Sequence, residues 1–164
     1  GWDVIFENPE GILMPDGSRV SRVYVEMKNK HNTMNSSSSQ KTYMRMLNKI
    51  ASDNKAECYL VEVIAKNSQN IVWKVSLDGE RMENERIRRV SMDKFYEIVT
   101  GDKEAFYKIC MELPKLIDEI IEENRELQVG SDTVVNELRE KNPDLLKALY
   151  LLAFKEYEGF KNLE

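Results

Sequence analysis

The sequence predicts a mixed α/β (α+β) fold, a mixed central sheet flanked by helices and followed by a helical C-terminal portion, and three observations predict it. Residues 20–28 alternate in polarity with a period of two, as a strand with one packed face does. A helix-periodic stretch, Ser36 to Ala51, separates that strand from a second β-rich run, Glu57 to Ala65, which is the order of a strand–helix–strand crossover with parallel strands. From Ser91 onward the pattern is helical. At 164 residues, 41% of them hydrophobic, the chain is sized for one globular domain with its own core. We expect a single domain over residues 1–164, its α/β core over about residues 1–100 and its helical portion over about 101–164.

Trp2 to Phe6 alternates as a first strand, which Asn8-Pro9-Glu10-Gly11 interrupts. Pro15-Asp16-Gly17 has the chemistry of a tight turn, since proline presets φ and glycine admits positive φ. Val20 to Lys28 follows, with Val23, Val25 and Met27 on one face and Arg22, Tyr24, Glu26 and Lys28 on the other. A polar loop, Asn29 to Asn35, leads into the Ser36 to Ala51 helix; Tyr43, Met44, Met46, Leu47 and Ile50 form its apolar side, and its opening serine is the expected N-cap. Glu57 to Ala65 returns parallel to the second strand, and Ile71 to Val75 is its expected hairpin partner. The helices are then Met92 to Thr100 closed by Gly101, Asp102 to Asn124, Asp132 to Lys141, and Pro143 to about Phe160. Pro114 is expected to kink or split the second of these.

The net charge of -5 conceals an asymmetry. From Ser18 to Ile50 the basic residues are Arg19, Arg22, Lys28, Lys30, Lys41, Arg45 and Lys49, against one acid, Glu26. The excess acidity lies in the C-terminal helices, so a polyanionic ligand is not excluded from the first half. Cys58 and Cys110 sit in apolar runs without metal-ligand or redox spacing, and we expect buried free thiols of a reducing cytosol. No apolar run approaches the roughly 20 residues that span a bilayer, and no leader pattern is visible, so no membrane association is expected. The chain lacks an initiator Met and begins just before a strand-like run, so upstream sequence is expected.

Phosphodiester hydrolysis needs converging carboxylates to hold a divalent cation and a positive group beside the attacking water. Glu26 and Lys28, two apart on a strand, leave the same face about 6 to 7 Å apart and supply one of each. An acid-x-Lys triplet is common by chance, so a second acid must join it. Asp16 lies at the turn tip, ten residues or roughly 33 Å of strand from Glu26, and cannot share a metal with it. Antiparallel pairing about that turn brings Asp3 back beside Glu26, on the face opposite Trp2, Val4 and Phe6. Asp3 is the preferred partner, although a slip at Asn8 to Gly11 of a residue or two would bring Glu7 or Glu10 instead.

Asp3, followed by Glu26-Met27-Lys28 on a strand leaving a turn, resembles the PD-(D/E)XK nuclease superfamily. The string Val25 to Asn35, running into Gln40-Lys41-Thr42-Tyr43, and the segment Arg88 to Asp102 resemble type II restriction endonucleases, most similarly those cutting the palindrome GGNCC. The resemblance implies a restriction-endonuclease-like fold, a prokaryotic cytoplasmic enzyme, a Mg²⁺ cofactor and a homodimer on double-stranded DNA. It assigns Asp3 and Glu26 to the metal, with the Met27 backbone carbonyl as a further ligand, and Lys28 to the water. Two departures stand out: Trp2 occupies the place of the proline that often precedes the first acid, and the upstream helices are missing.

Around this core, Asn29, Lys30, His31 and Asn32 are read as DNA contacts from the loop that follows the strand. Gln40 and Lys41 are assigned the same role from the next helix, although Tyr43 beside them reads as packing. Arg81, Arg86, Arg88 and Arg89 cluster where few residues are apolar, and Arg86, Arg88 and Arg89 are read as DNA contacts whose forks suit guanine O6 and N7; interspersed Glu83 and Glu85 support the alternative, a solvated charged loop. Glu62, in an apolar strand, is read as structural. The function expected is Mg²⁺-dependent, sequence-specific hydrolysis of duplex DNA; the alternatives are a repair or recombination nuclease on the same core and a non-catalytic nucleic-acid-binding domain.

Overall fold

A computed structural model describes residues 1–31, 34–123 and 145–163. The predicted helix Asp132 to Lys141, the Pro143 start of the last helix and the candidate contact Asn32 lie outside the described residues. The chain separates into two compact units, residues 1–103 and 104–164.

The first unit carries the sheet. Strands β1 (Val4–Leu13) and β2 (Arg19–Lys30) form an antiparallel hairpin; helix α1 (Ser36–Ser52) then leads to β3 (Ala56–Ile64), which runs parallel to β2. Three short strands, β4 (Asn70–Val72), β5 (Val75–Leu77) and β6 (Glu80–Met82), precede β7 (Ile87–Ser91) and helix α2 (Met92–Thr100). The main sheet has the order β1-β2-β3-β7-β4, with β2, β3 and β7 mutually parallel and both edges antiparallel, while β5 and β6 form a separate hairpin. This is a restriction-endonuclease-like mixed sheet.

Strand β3 explains why its apolar run lacks alternation. It is paired on both sides and covered on both faces, so Cys58, Tyr59, Leu60 and Val61 are all buried. One face takes α1, through a cluster of Tyr43, Met46, Ile50, Cys58, Leu60, Trp73 and Ile87. By strand parity Val23, Val25, Tyr59, Val61 and Val90 point to the other face, and each is fully buried. There Lys94 and Ile98 of α2 share a cavity of about 470 Å³ with Phe6 and Ile12 of β1. Both cysteines are free and buried, and burial pushes the Cys58 thiol up to about 12.

Three local expectations are corrected. The Asn8 to Gly11 interruption does not end β1; the strand continues through a register shift in which these four residues face Ser21 alone, between the pairs Glu7–Arg22 and Ile12–Val20. Gly11 takes φ +89 within this bulge, where a Cβ would meet the Arg19 side chain at 3.0 Å. The cap of α1 is Asn35, not a serine: its Oδ1 accepts the Ser38 N–H at 2.8 Å. The stretch at Ile71 pairs with β7 and not with β3, because β3 already has parallel neighbours on both sides. The last turn of α2 closes on Gly101 as expected, in the left-handed conformation at φ +77.

The second unit holds α3 (Ala105–Glu123) and α4 (Leu145–Phe154), with a short 3₁₀ turn at Phe160–Asn162. Pro114 lies inside α3 without splitting it. Phe106, Phe154, Tyr157 and Phe160 form its aromatic core, with Phe106 edge-on to Phe154 at 5.0 Å between centroids.

Candidate active site

The parallel strands β2, β3 and β7 deliver their carboxyl ends to one edge of the sheet. In register there, Glu26 faces Leu60, Lys28 faces Glu62, and Glu62 faces Ser91, so Glu26, Lys28 and Glu62 leave the sheet on the α1 side. Parity leads Arg22 and Tyr24 along the same face toward the other end.

Asp3 stands just ahead of β1, where Val4 pairs with Val25. Its N–H donates to the Val25 carbonyl at 3.0 Å, and its Oδ2 accepts the Met27 N–H at 2.7 Å. The acid is thereby pinned to the backbone between Glu26 and Lys28, so Asp3, and neither Glu7 nor Glu10, reaches this point. Glu7 instead pairs with Arg22 at 3.2 Å, four residues along β2 from Glu26. Asp16 stays at the hairpin tip, capped by Ser18.

The Glu26 side chain is 17% exposed and faces two cations: Lys28 Nζ lies 3.8 Å from Oε1, and Arg45 Nη2 donates to Oε2. Arg45 arrives from α1 and was not among the residues expected here. Its other nitrogen, Nη1, donates to the Gly1 carbonyl at 3.2 Å, and its guanidinium lies 4.2 Å from the Trp2 ring centroid. Trp2 in turn packs on Tyr24 at 5.5 Å, so it turns toward α1 rather than following the Val4 and Phe6 face. The signal for Arg45 was its place in the basic stretch, but only the fold of α1 over β2 puts it on Glu26.

Glu62 is 2% exposed and forms a two-pronged pair with Arg89, Nε to Oε1 at 2.6 Å and Nη2 to Oε2 at 2.9 Å. That hydrogen-bonded carboxylate holds the Arg89 guanidinium more firmly protonated than usual. Arg89 Nη2 also donates to the His31 carbonyl at 3.0 Å, and the His31 N–H donates to Ile64 at 3.3 Å. His31, the first residue past β2, is thus fastened on both sides. Asn29, Lys30 and the His31 side chain are exposed.

The remaining arginines serve elsewhere. Arg86 donates to the carbonyls of Ala56, Ile50 and Asp53, at the amino end of β3, and Arg88 donates to Asn70 through both its side chain and its carbonyl. These geometries spend the Arg86 fork on backbone and the Arg88 fork on Asn70 and Glu85. Gln40 Nε2 donates to the Ser76 carbonyl at 2.9 Å and ties α1 to β5, while Lys41 is exposed one residue on. Tyr43 is buried against Trp73.

Asp3 and Glu26 offer hard oxygen donors of the kind Mg²⁺ takes, and a pair of carboxylates suits a cation that keeps several of its waters. Among the described residues no group of three or more His, Cys, Asp and Glu side chains converges to form a complete protein cage. No helix among the described residues is long and apolar enough to cross a membrane.

Residues 4–122 match the family model described as Eco47II restriction endonuclease. The match includes Glu26 and Lys28 and starts at the residue after Asp3, whose place rests on the hairpin geometry. Among curated proteins, the type II restriction enzyme Sau96I of Staphylococcus aureus is 32% identical over 111 residues, 63% of this chain and 42% of that protein. The chain therefore spans about two fifths of the length of this curated relative. No solved structure matches the chain.

Proposed function

The chain belongs to the Eco47II restriction endonuclease family, and on that premise we propose that it cuts double-stranded DNA as a Mg²⁺-dependent type II restriction endonuclease, with Asp3, Glu26 and Lys28 as the reacting constellation. The observation that carries this reading is the convergence of an exposed acid, a mostly covered acid and a lysine around Met27, at the carboxyl edge of a parallel sheet.

Asp3 and Glu26 are the residues that would hold the cation, with the Met27 carbonyl as a further ligand. Bound there, Mg²⁺ would neutralise phosphate charge and lower the pKa of water. Lys28 projects from the same face as Glu26 and orients the water for in-line attack on phosphorus, stabilising the charge that gathers on the phosphate oxygens. Hydrolysis then leaves a 5′-phosphate and a free 3′-hydroxyl. Asn29 and Lys30 at the end of β2, His31 just past it, Asn32, and Lys41 on α1 are the DNA contacts in this reading. Arg89 contributes by holding the His31 carbonyl, whereas the roles of Arg86 and Arg88 are better supported as structural.

GGNCC is the site we propose, from the similarity of the strand–loop–helix sequence to enzymes of that specificity. A palindrome presents the same edges twice, so two copies of the chain related by a two-fold axis would act on it. The enzyme would work in the cytoplasm, where incoming DNA arrives.

Incubating the protein with phage DNA and Mg²⁺, then sequencing the fragment ends, tests activity, site and cleavage position together. Glu26→Ala and Lys28→Ala are each expected to lower cutting by at least about a thousandfold, with far-ultraviolet circular dichroism unchanged. Full cutting by either variant would sink the assignment.

A further inference from the structure

Arg45 is engaged on three sides, and all three belong to the two segments that bring the acids together. Gly1 and Trp2, which it bonds and stacks upon, immediately precede Asp3; Glu26, which it also bonds, is the acid on β2. A surface ion pair normally gains little because two long side chains must be immobilised. Here the Trp2 ring already fixes the guanidinium plane, and Glu26 is mostly covered. The bond to Oε2 is charge-assisted, while Lys28 stands off the other oxygen at 3.8 Å.

We propose that Arg45 is a positioning residue that stands in for the divalent cation on Glu26, keeping the carboxylate aimed while no metal is bound and yielding Oε2 when the metal arrives. The inference rests on the reading of Asp3 and Glu26 as the metal acids. Two cations that draw on the same oxygen compete for it, so loading the site costs the Glu26–Arg45 bond. The displaced guanidinium stays at the site, since Trp2 and the Gly1 carbonyl still hold it. Metal affinity of the free protein is therefore set below what two carboxylates alone would give. Without Arg45, Lys28 at its greater distance is the remaining cation facing Glu26.

The test is Mn²⁺ binding to the full chain without DNA, followed by electron paramagnetic resonance of the free ion. Wild type, Arg45→Gln, Arg45→Lys and Glu26→Gln are compared, with thermal melts to confirm folding. Arg45→Gln is expected to bind Mn²⁺ at least threefold more tightly than wild type, and Arg45→Lys, which keeps a charge but loses the fork, to fall between. Equal or weaker Mn²⁺ affinity in folded Arg45→Gln, with wild-type binding that depends on Glu26, overturns the stand-in role. Wild-type Mn²⁺ binding that is absent or survives Glu26→Gln overturns the metal-site reading itself, and this inference with it.

Discussion

The Oδ2 of Asp3 accepts the backbone N–H of Met27 at 2.7 Å, so an acid from the strand edge is bolted to the peptide that separates Glu26 from Lys28. Asn in place of Asp3 keeps an oxygen for that bond and loses the charge that would hold a cation. Asp3→Asn is expected to leave the urea midpoint within experimental error and to reduce DNA cutting by at least about a hundredfold. Equal losses of stability and cutting would mark Asp3 as a hairpin fastener only.

Glu62 and Arg89 form the most enclosed ion pair at this end of the sheet. Removing one partner strands the other, which costs about 3 kcal/mol or more, whereas removing both in favour of apolar groups of similar volume is close to neutral. Arg89→Ala should therefore lower the unfolding free energy measured in urea by about that amount, and Glu62→Leu with Arg89→Met should recover most of it. Because Arg89 also holds the His31 carbonyl, the recovered double variant should still show weakened DNA binding.

Tyr43 is fully buried in the α1 cluster, and its hydroxyl has no hydrogen-bond partner among the described residues. Burying an unpaired hydroxyl is unfavourable, so Tyr43→Phe is expected to be neutral or to stabilise the protein by up to about 1 kcal/mol. Cutting should be unchanged. A large loss of cutting without loss of stability would place the hydroxyl in the chemistry.

Asp53 carries a pH dependence whose sign is determined by its partners. Burial alone would raise its carboxyl, but the hydrogen bonds from Arg22, the Lys55 N–H and Tyr24, with the Arg22 charge, together hold it below the ordinary value of 3.8. The folded state then keeps Asp53 ionised where the unfolded chain takes up a proton, so its contribution is complete above that value and is lost as pH falls through the folded one. Asp53→Asn should be less stable than wild type at pH 7, and the gap should close in melts taken below about pH 3.8.

Much of the candidate site's arrangement was legible because strand parity is a strong constraint. Glu26 and Lys28 share a face by spacing alone, and the turn at Pro15 to Gly17 was enough to prefer Asp3 over Asp16. The rest depended on contacts between distant residues. Strand β7 was hidden by Arg88 and Arg89, with Arg86 just ahead of it, which read as DNA contacts or as a solvated loop; in the fold they meet the carbonyls of Ala56 and Asp53, the Asn70 side chain and Glu62. Such partners, about 18 to 33 residues away, leave no periodic trace. Arg45 escaped notice for the same reason, since its meeting with Glu26 follows from how α1 packs over the sheet. Asn35 displaced a serine as the cap because a longer side chain one residue earlier reaches the same N–H.

The bulge at Asn8 to Gly11 governs where the first acid lands. Near the tip, Leu13 pairs with Arg19 and Ile12 with Val20; continued without interruption, that pairing would set Phe6 against Glu26 and carry Asp3 three positions further, to Asn29. The three surplus residues of β1 absorb this offset. Because three is odd, they also return Asp3 to the side of the sheet that Glu26 occupies. The loop length acts as a vernier: trimming it by one residue would move the acid along β2 and turn it to the opposite side at a single stroke. Drift in the distant turn can be tolerated only when this segment changes with it.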